Sequence, residues 1–171
     1  MVVGREEAIR EAVRTVASLM VAAAVTAPKA KGVDNIEVVV IDDRDELLKL
    51  AEKMDELASV YGSFFSRDAD CVRRSDAVVV IGAWVPKLSL KTPPEYGVDA
   101  DTAMALINLG IALGSAVKVA SMLNVDTRIM FSIGVAARAL GLLRSPYVLG
   151  VPLSVKGKNI YFDRKPRSSA R

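Results

Sequence analysis

From Glu6 to Val25, apolar residues recur at Ile9, Ala12, Val13, Val16, Met20, Ala23 and Ala24. This is the 3.6-residue stripe of a helix packed on one face. From Leu19 onward the polar face disappears as well, which predicts cover on most sides of that half, by a sheet on one and a second subunit on the other. Pro28 ends the helix. "IEVVVI" at 36–41 has no polar alternation and predicts a short strand buried on both faces. Asp43 is placed to cap a second helix, whose stripe runs through Leu47, Leu50, Ala51, Met54, Leu57, Ala58 and Tyr61. A short helical piece near Asp68 to Arg74 leads into "AVVVIGAW", a second doubly buried strand.

Residues 85–100 hold three prolines and no periodicity, and predict the one long loop. A very apolar helix follows from Asp101 to about Leu123, and Gly110 and Gly114 share a face on which another backbone can come close. It is expected to be the central helix of the core. Its uninterrupted apolar length falls short of the roughly 18 to 20 residues of a membrane span, so no membrane is expected. "RIMFSI" predicts a third strand, Gly134 opens a helix through Arg138 to Leu142, "YVLGVPL" predicts a fourth strand and "NIYF" a fifth. The order of elements predicts an α/β layered fold, one domain over residues 1–171, with a mostly buried central sheet of four to five strands covered by helices and a flexible basic tail at 165–171.

Composition narrows the chemistry. With 171 residues, 51% of them hydrophobic, the chain can bury about two-thirds of its unfolded surface without a metal or disulfide. The net charge of +3 is spread along the chain, which is not a nucleic-acid footprint. The absence of histidine excludes a Ser-His-Asp triad, a Cys-His dyad and any His-containing metal site. A single cysteine, Cys71, excludes an intrachain disulfide and a four-thiolate iron-sulfur cluster. The N-terminus carries both charge signs and no signal-peptide pattern, so a cytoplasmic protein is expected. The lack of glutamine and the four asparagines point to a thermophilic source.

Two lysine-glycine turns stand out, "PKAKG" at 28–32 and "VKGKN" at 155–159. Each reads as an ordinary turn on its own. Converging at strand ends, their amides and ammonium groups would make a phosphate-sized anion site. Asp34 and Asn35 read as turn residues or as hydrogen-bonding contacts to a heterocycle, and Arg128 as an edge ion pair with Asp126 or an anion contact. Cys71 reads as an inert, partly buried thiol, and Ser115 with Lys118 as a packing hydroxyl and a helix-terminal cation. Glu95, Asp99 and Asp101 lack calcium-loop spacing, and helix capping accounts for Asp99 or Asp101.

The runs "TAPKAKGVDNI", "FFSRDADCVRRSDAVVVIG", "LGIALGSAVKVASMLNVDTRIMFSIGVAARALGLL" and "VPLSVKGKNIYFDR" resemble, in this order, the family of uncharacterised ferredoxin domain-containing proteins. That family typically carries a Cys-Gly-x-Cys-Gly motif in the segment equivalent to 85–103, where this chain has no cysteine. The turn at Ala27, Pro28 and Asn35, the strand "SDAVVVIGA" and the later run to "VPLS" also resemble the flavin-dependent nitroreductase fold. This second resemblance implies a homodimer holding FMN between subunits. Carried over, it puts Lys29 and Asn35 near the flavin and Lys156 and Lys158 near its phosphate, with Arg5 or Arg10 standing in for a missing arginine pair; Lys31 and Arg128 complete the candidate cofactor-binding residues. It implies a redox flavoprotein without an iron-sulfur cluster and, as an enzyme, a flavin-dependent oxidoreductase. A cofactor-free dimeric scaffold and a binder of another anionic, nucleotide-like ligand remain the alternatives.

Overall fold

Seven residues with no exposed side chain, Ala77–Ala83, form the axis of the fold. The computed structural model describes residues 2–162, so the expected tail at 165–171 lies outside the described residues. The chain begins with α1 (Arg5–Thr26), followed by a single 3-10 turn at Ala30–Gly32, β1 (Ile36–Ile41), α2 (Arg44–Tyr61) and α3 (Phe64–Arg74). After β2 (Ala77–Ala83) come α4 (Ala100–Met122), β3 (Asp126–Thr127), α5 (Phe131–Ala139) and β4 (Tyr147–Ser154). The sheet order is β1-β2-β4-β3, and every pairing is antiparallel.

β2 lies between β1 and β4 and is covered on both faces, which is why its sequence has no polar alternation. Ala77, Val79, Ile81 and Ala83 pack with α1 and α4. Val78 and Val80 pack with α2, α3 and α5 on the other side. The period of two thus sorts one strand into two cores. β1 carries an equally apolar sequence but stands at the sheet edge and is only half-buried, so the expectation of a doubly buried strand is corrected there.

Asp43 caps α2 by accepting from the amides of Asp45 and Glu46, as its position predicts. The expected third strand at "RIMFSI" is corrected. Strand pairing is confined to Asp126–Thr127 and one bridge between Met130 and Gly150, and Phe131 already opens α5. Gly134 sits inside that helix because a Cβ there would stand 1.9 Å from the carbonyl oxygen of Val148, so α5 can lie on β4 only with glycine at this position. The expected fifth strand at "NIYF" is not formed, and that segment is a strap held by side chains.

α4 differs most from expectation. Its buried side, including Ala105, Leu109, Ala112, Leu113 and Ala116, rests on α1 and the sheet, but Ile107 and Ile111 are 48% and 40% exposed. Apart from the helix's own backbone, no atom of the described residues lies within 4 Å of a Cβ built on Gly110 or Gly114, so no other described backbone makes the close approach that their spacing suggested. At 23 residues the helix is long and apolar enough to cross a bilayer, and its length does not tell against a membrane span. Its packing commits one face to the core of this domain.

Gly134→Ala is expected to lower stability by about 1–3 kcal/mol through forced overpacking. Gly110→Ala, with open space at its Cβ, is expected to raise helix stability by about 0.5–1 kcal/mol. Urea denaturation of both variants checks the contrast, and equal losses would contradict it.

Candidate functional site

The late lysine turn follows β4 directly and is anchored to the residue that precedes β2. The ammonium of Lys156 donates to Asp76 at 2.7 Å, and the amide of Val155 donates to the other carboxylate oxygen at 2.9 Å. Beyond the turn the chain is strapped down. Arg74 donates to the carbonyl of Ile160 at 3.4 Å, and Arg128 donates to the carbonyl of Tyr161 at 3.2 Å. The Arg128 guanidinium also stands 5.5 Å from the ring centroid of Phe162. The Tyr161 hydroxyl, buried against Cys71, shares a 2.9 Å hydrogen bond with Ser75, and burial pushes its pKa far up. Arg128, Lys156 and Lys158 therefore belong to one rim of the sheet. Ser154, buried just before the turn, has a hydroxyl with no partner among the described residues. A cleft of about 630 Å³ opens on the same rim, lined by Arg10, Arg14 and Arg44 and by the acidic Glu6, Asp42, Asp43 and Asp76, with Arg14 paired to Asp42 at 2.6 Å. Arg10, one of the two arginines offered by the resemblance, thus shares a cleft with the carboxylate that holds Lys156.

The early turn is built differently. The side chain of Lys29 is only 4% exposed, and its ammonium donates to the carbonyls of Ala24 at 3.3 Å, Ala27 at 2.8 Å and Val25, with Asp34 at 3.8 Å. It caps the C-terminus of α1, where the helix dipole favours a cation. Lys31 adopts the left-handed φ of 52° and donates to the carbonyl of Leu88 at 2.9 Å. Asn35 is buried, donates to the carbonyl of Trp84 at 2.6 Å and accepts from Asn108 at 3.0 Å. Asn108 in turn accepts from the amide of Ala30 at 3.0 Å. This buried asparagine pair ties the turn, β1, β2 and α4 together. Reasoning from the sequence misses Asn108, although an amide inside an otherwise apolar helix is its signal.

The two turns do not meet. Asn35 is bonded to Trp84, just after β2, whereas Lys156 is bonded to Asp76, just before it. Eight residue steps of extended chain separate Asp76 from Trp84, about 26 Å. The expectation of a single pocket bordered by both turns is corrected for the isolated chain, because the rigid strand that both turns abut holds them apart.

Comparison with known proteins follows the same division between clear fold and open chemistry. Residues 99–164 match the family described as "Uncharacterized protein containing a ferredoxin domain". An uncharacterised protein of Archaeoglobus fulgidus is 42% identical over 184 residues, covering 98% of this chain and 100% of that protein. The chain belongs to this family. Solved structures place its fold among the nitroreductases. The hypothetical oxidoreductase YcnD of Bacillus subtilis has a TM-score of 0.60 at 14% identity, over 85% of this chain and 59% of that one. A nitroreductase with bound FMN from Desulfitobacterium hafniense has a TM-score of 0.56 at 17% identity, over 86% and 78%. The NADPH:FMN oxidoreductase of Vibrio harveyi, complexed with NAD+, has a TM-score of 0.58 at 16% identity, over 91% and 64%. The chain thus spans less than two-thirds of the YcnD and Vibrio harveyi chains.

The residues of this family member do not fit the cluster that the family description implies. Cys71 is the sole cysteine of the sequence and is buried, and burial outweighs the nearby Arg74 in pushing its thiol pKa up. Among the described residues no group of three or more His, Cys, Asp or Glu could hold a metal. The loop at 85–100 is organised by a carboxylate. Asp101 accepts from the amides of Leu88 at 2.9 Å, Ser89 at 3.0 Å and Leu90 at 3.2 Å, while Asp99 caps α4 through Thr102.

Partial burial raises the Asp101 pKa, but the amides of Leu90, Leu88 and Ser89 outweigh it, so the carboxyl lies below its usual 3.8. A depressed folded-state value contributes stability that is complete above the unfolded pKa and is lost as pH falls through the folded one. Amide resonances of residues 88–90 are expected to titrate together with a midpoint below 3.8. Asp101→Asn removes that titration. A midpoint at or above the usual value would contradict the carboxylate clamp.

Proposed function

We propose that the protein is a flavin-dependent redox protein that holds FMN between two copies of the chain. The observation that carries this reading is the gathering of Arg128 with the Lys156 and Lys158 turn on one rim, next to the orphaned buried hydroxyl of Ser154 and to the cleft that Arg10 and Asp76 help to line. Cations, amides and a hydroxyl suit the phosphate end of a mononucleotide. The nitroreductase-like fold supports the choice of flavin, because a structural neighbour was solved with FMN bound. When bound, FMN would supply the electron transfer, and the chain would supply position and charge. Arg128, Lys156 and Lys158 would hold the phosphate. The early turn would serve the site in the partner copy, with Lys29, Lys31 and Asn35 fixing its shape.

The second copy is proposed because two helices keep uncovered apolar faces. On α1, Leu19 and Val25 are exposed, and on α4 the exposed face runs through Ile107, Gly110, Ile111 and Gly114. A contiguous apolar surface of this kind marks an association site. A cofactor-free dimeric scaffold is the second reading. It is favoured by the internal engagement of Lys29, Lys31 and Asn35 and by the pairing of Lys156 with Asp76.

Protein purified without added cofactor is expected to be yellow or to take up FMN. Lys156→Glu combined with Lys158→Glu is expected to weaken uptake at least tenfold, about 1.4 kcal/mol. Ile111→Glu is expected to give a monomer by sedimentation and to lose uptake as well. A colourless wild-type dimer that binds no FMN would leave the scaffold reading in its place.

A further inference from the structure

A second cleft lies at the opposite side of β4, where no strand covers its first half. β3 pairs only with Ser154 and Leu153, and the Met130 bridge reaches only Gly150, so Tyr147 to Leu149 have no strand partner on that edge. The cleft there measures about 610 Å³, within the range of small-molecule sites. Its walls come from the end of α2 with Leu57 and Tyr61, the first turns of α4 with Leu106, and α5 with Phe131 and Val135, along with Tyr147 of β4.

The lining has a definite character. Tyr61 stacks on Phe65 at 5.4 Å, and Phe65 meets Phe131 edge-on at 6.2 Å, so two of the lining rings are fixed through a third, fully buried one. Phe131 is 54% exposed and Tyr61 49%, so both rings present apolar surface to the cleft. Among the lining residues Arg138 alone is charged, and no carboxylate lines the cleft. One guanidinium nitrogen of Arg138 donates to the carbonyl of Pro146 at 3.1 Å, which holds the group at the rim. Among the described residues it forms no ion pair.

We propose that this cleft binds an amphipathic monoanion, an aromatic or aliphatic carboxylate whose apolar body lies on the Tyr61, Phe131 and Tyr147 rings while its charge pairs with Arg138. An apolar cavity with one uncompensated cation at its rim selects an apolar ligand with one negative end. A neutral ligand would leave the guanidinium to water and the Pro146 carbonyl and gain nothing from its charge, and a dianion would bring a second charge to a wall without a partner. The inference does not depend on the flavin reading, because the lining shares no residue with the Lys156 rim.

The test uses the full chain, free of flavin, titrated calorimetrically with 2-naphthoate and with neutral 2-naphthamide. Naphthoate is expected to bind saturably, one per chain and at least tenfold tighter than the amide. Arg138→Gln is expected to remove that preference, leaving the two ligands alike. Ala139→Trp, which fills the lining from an exposed helix position, is expected to abolish both. Absence of saturable binding, a preference that survives Arg138→Gln, or binding unchanged by a folded Ala139→Trp protein would each overturn the proposal. Should that variant fail to fold, methyl resonances decide. Naphthoate-induced shifts at Leu57, Leu106 and Val135 support the site, and shifts confined to other methyl groups overturn it.

Discussion

Exclusion of water from both faces of β2 is the constraint on which the rest of the molecule depends. A strand with every side chain buried needs a hydrogen-bonded neighbour on each edge and a helical layer on each face, and β1, β4 and the two helix layers meet that need. Its stiffness also sets a distance. Whatever precedes Ala77 and whatever follows Ala83 are held at opposite ends of the sheet, so the chemistry at Asp76 and the chemistry at Trp84 cannot face one another within one chain.

That separation sorts the polar residues. At the Trp84 end the polar groups are consumed by the fold: Lys29 caps α1, Lys31 restrains the long loop, and Asn35 and Asn108 satisfy each other inside the core. Leaving either amide unpaired would cost about 1–3 kcal/mol, which accounts for their presence without any ligand. At the Asp76 end the balance differs. Arg10, Arg14 and Arg44 line a cleft there together with Glu6, Asp42, Asp43 and Asp76, Lys156 pairs with Asp76, and the buried hydroxyl of Ser154 is left unpaired among the described residues, as is that of Ser145 near the other end. Titratable groups gathered around a cleft are the better sign of a ligand.

Much of the fold was legible in the chain because burial leaves a period. The stripes of α1 and α2, the cap at Asp43, the stop at Pro28 and the continuous apolar run of β2 each follow from local chemistry. Three features were not. The edge position of β1 is invisible because its composition equals that of a central strand. The start of α5 at Phe131 was hidden by β-branched neighbours, and a close approach of backbones at Gly134 overrode their propensity. The half-covered state of α4 was hidden because an apolar residue reads the same whether it faces its own core or another molecule. The candidate site was less legible, since lysines in turns carry no mark of what they face. Arg10, Arg74 and Tyr161 join the late turn only through tertiary contacts.

The chain has a nitroreductase-like fold, and its single buried cysteine cannot supply the ligands of a cluster. The proposed site, completed by two copies, would reconcile the separated turns with one cofactor. A crystal structure of the protein grown with FMN tests this most directly. The account predicts the phosphate against Arg128, Lys156 or Lys158 of one copy, with the Pro28 to Asn35 turn of a second copy beside the flavin ring. A flavin enclosed by a single chain, or a phosphate seated at the early turn, would contradict it.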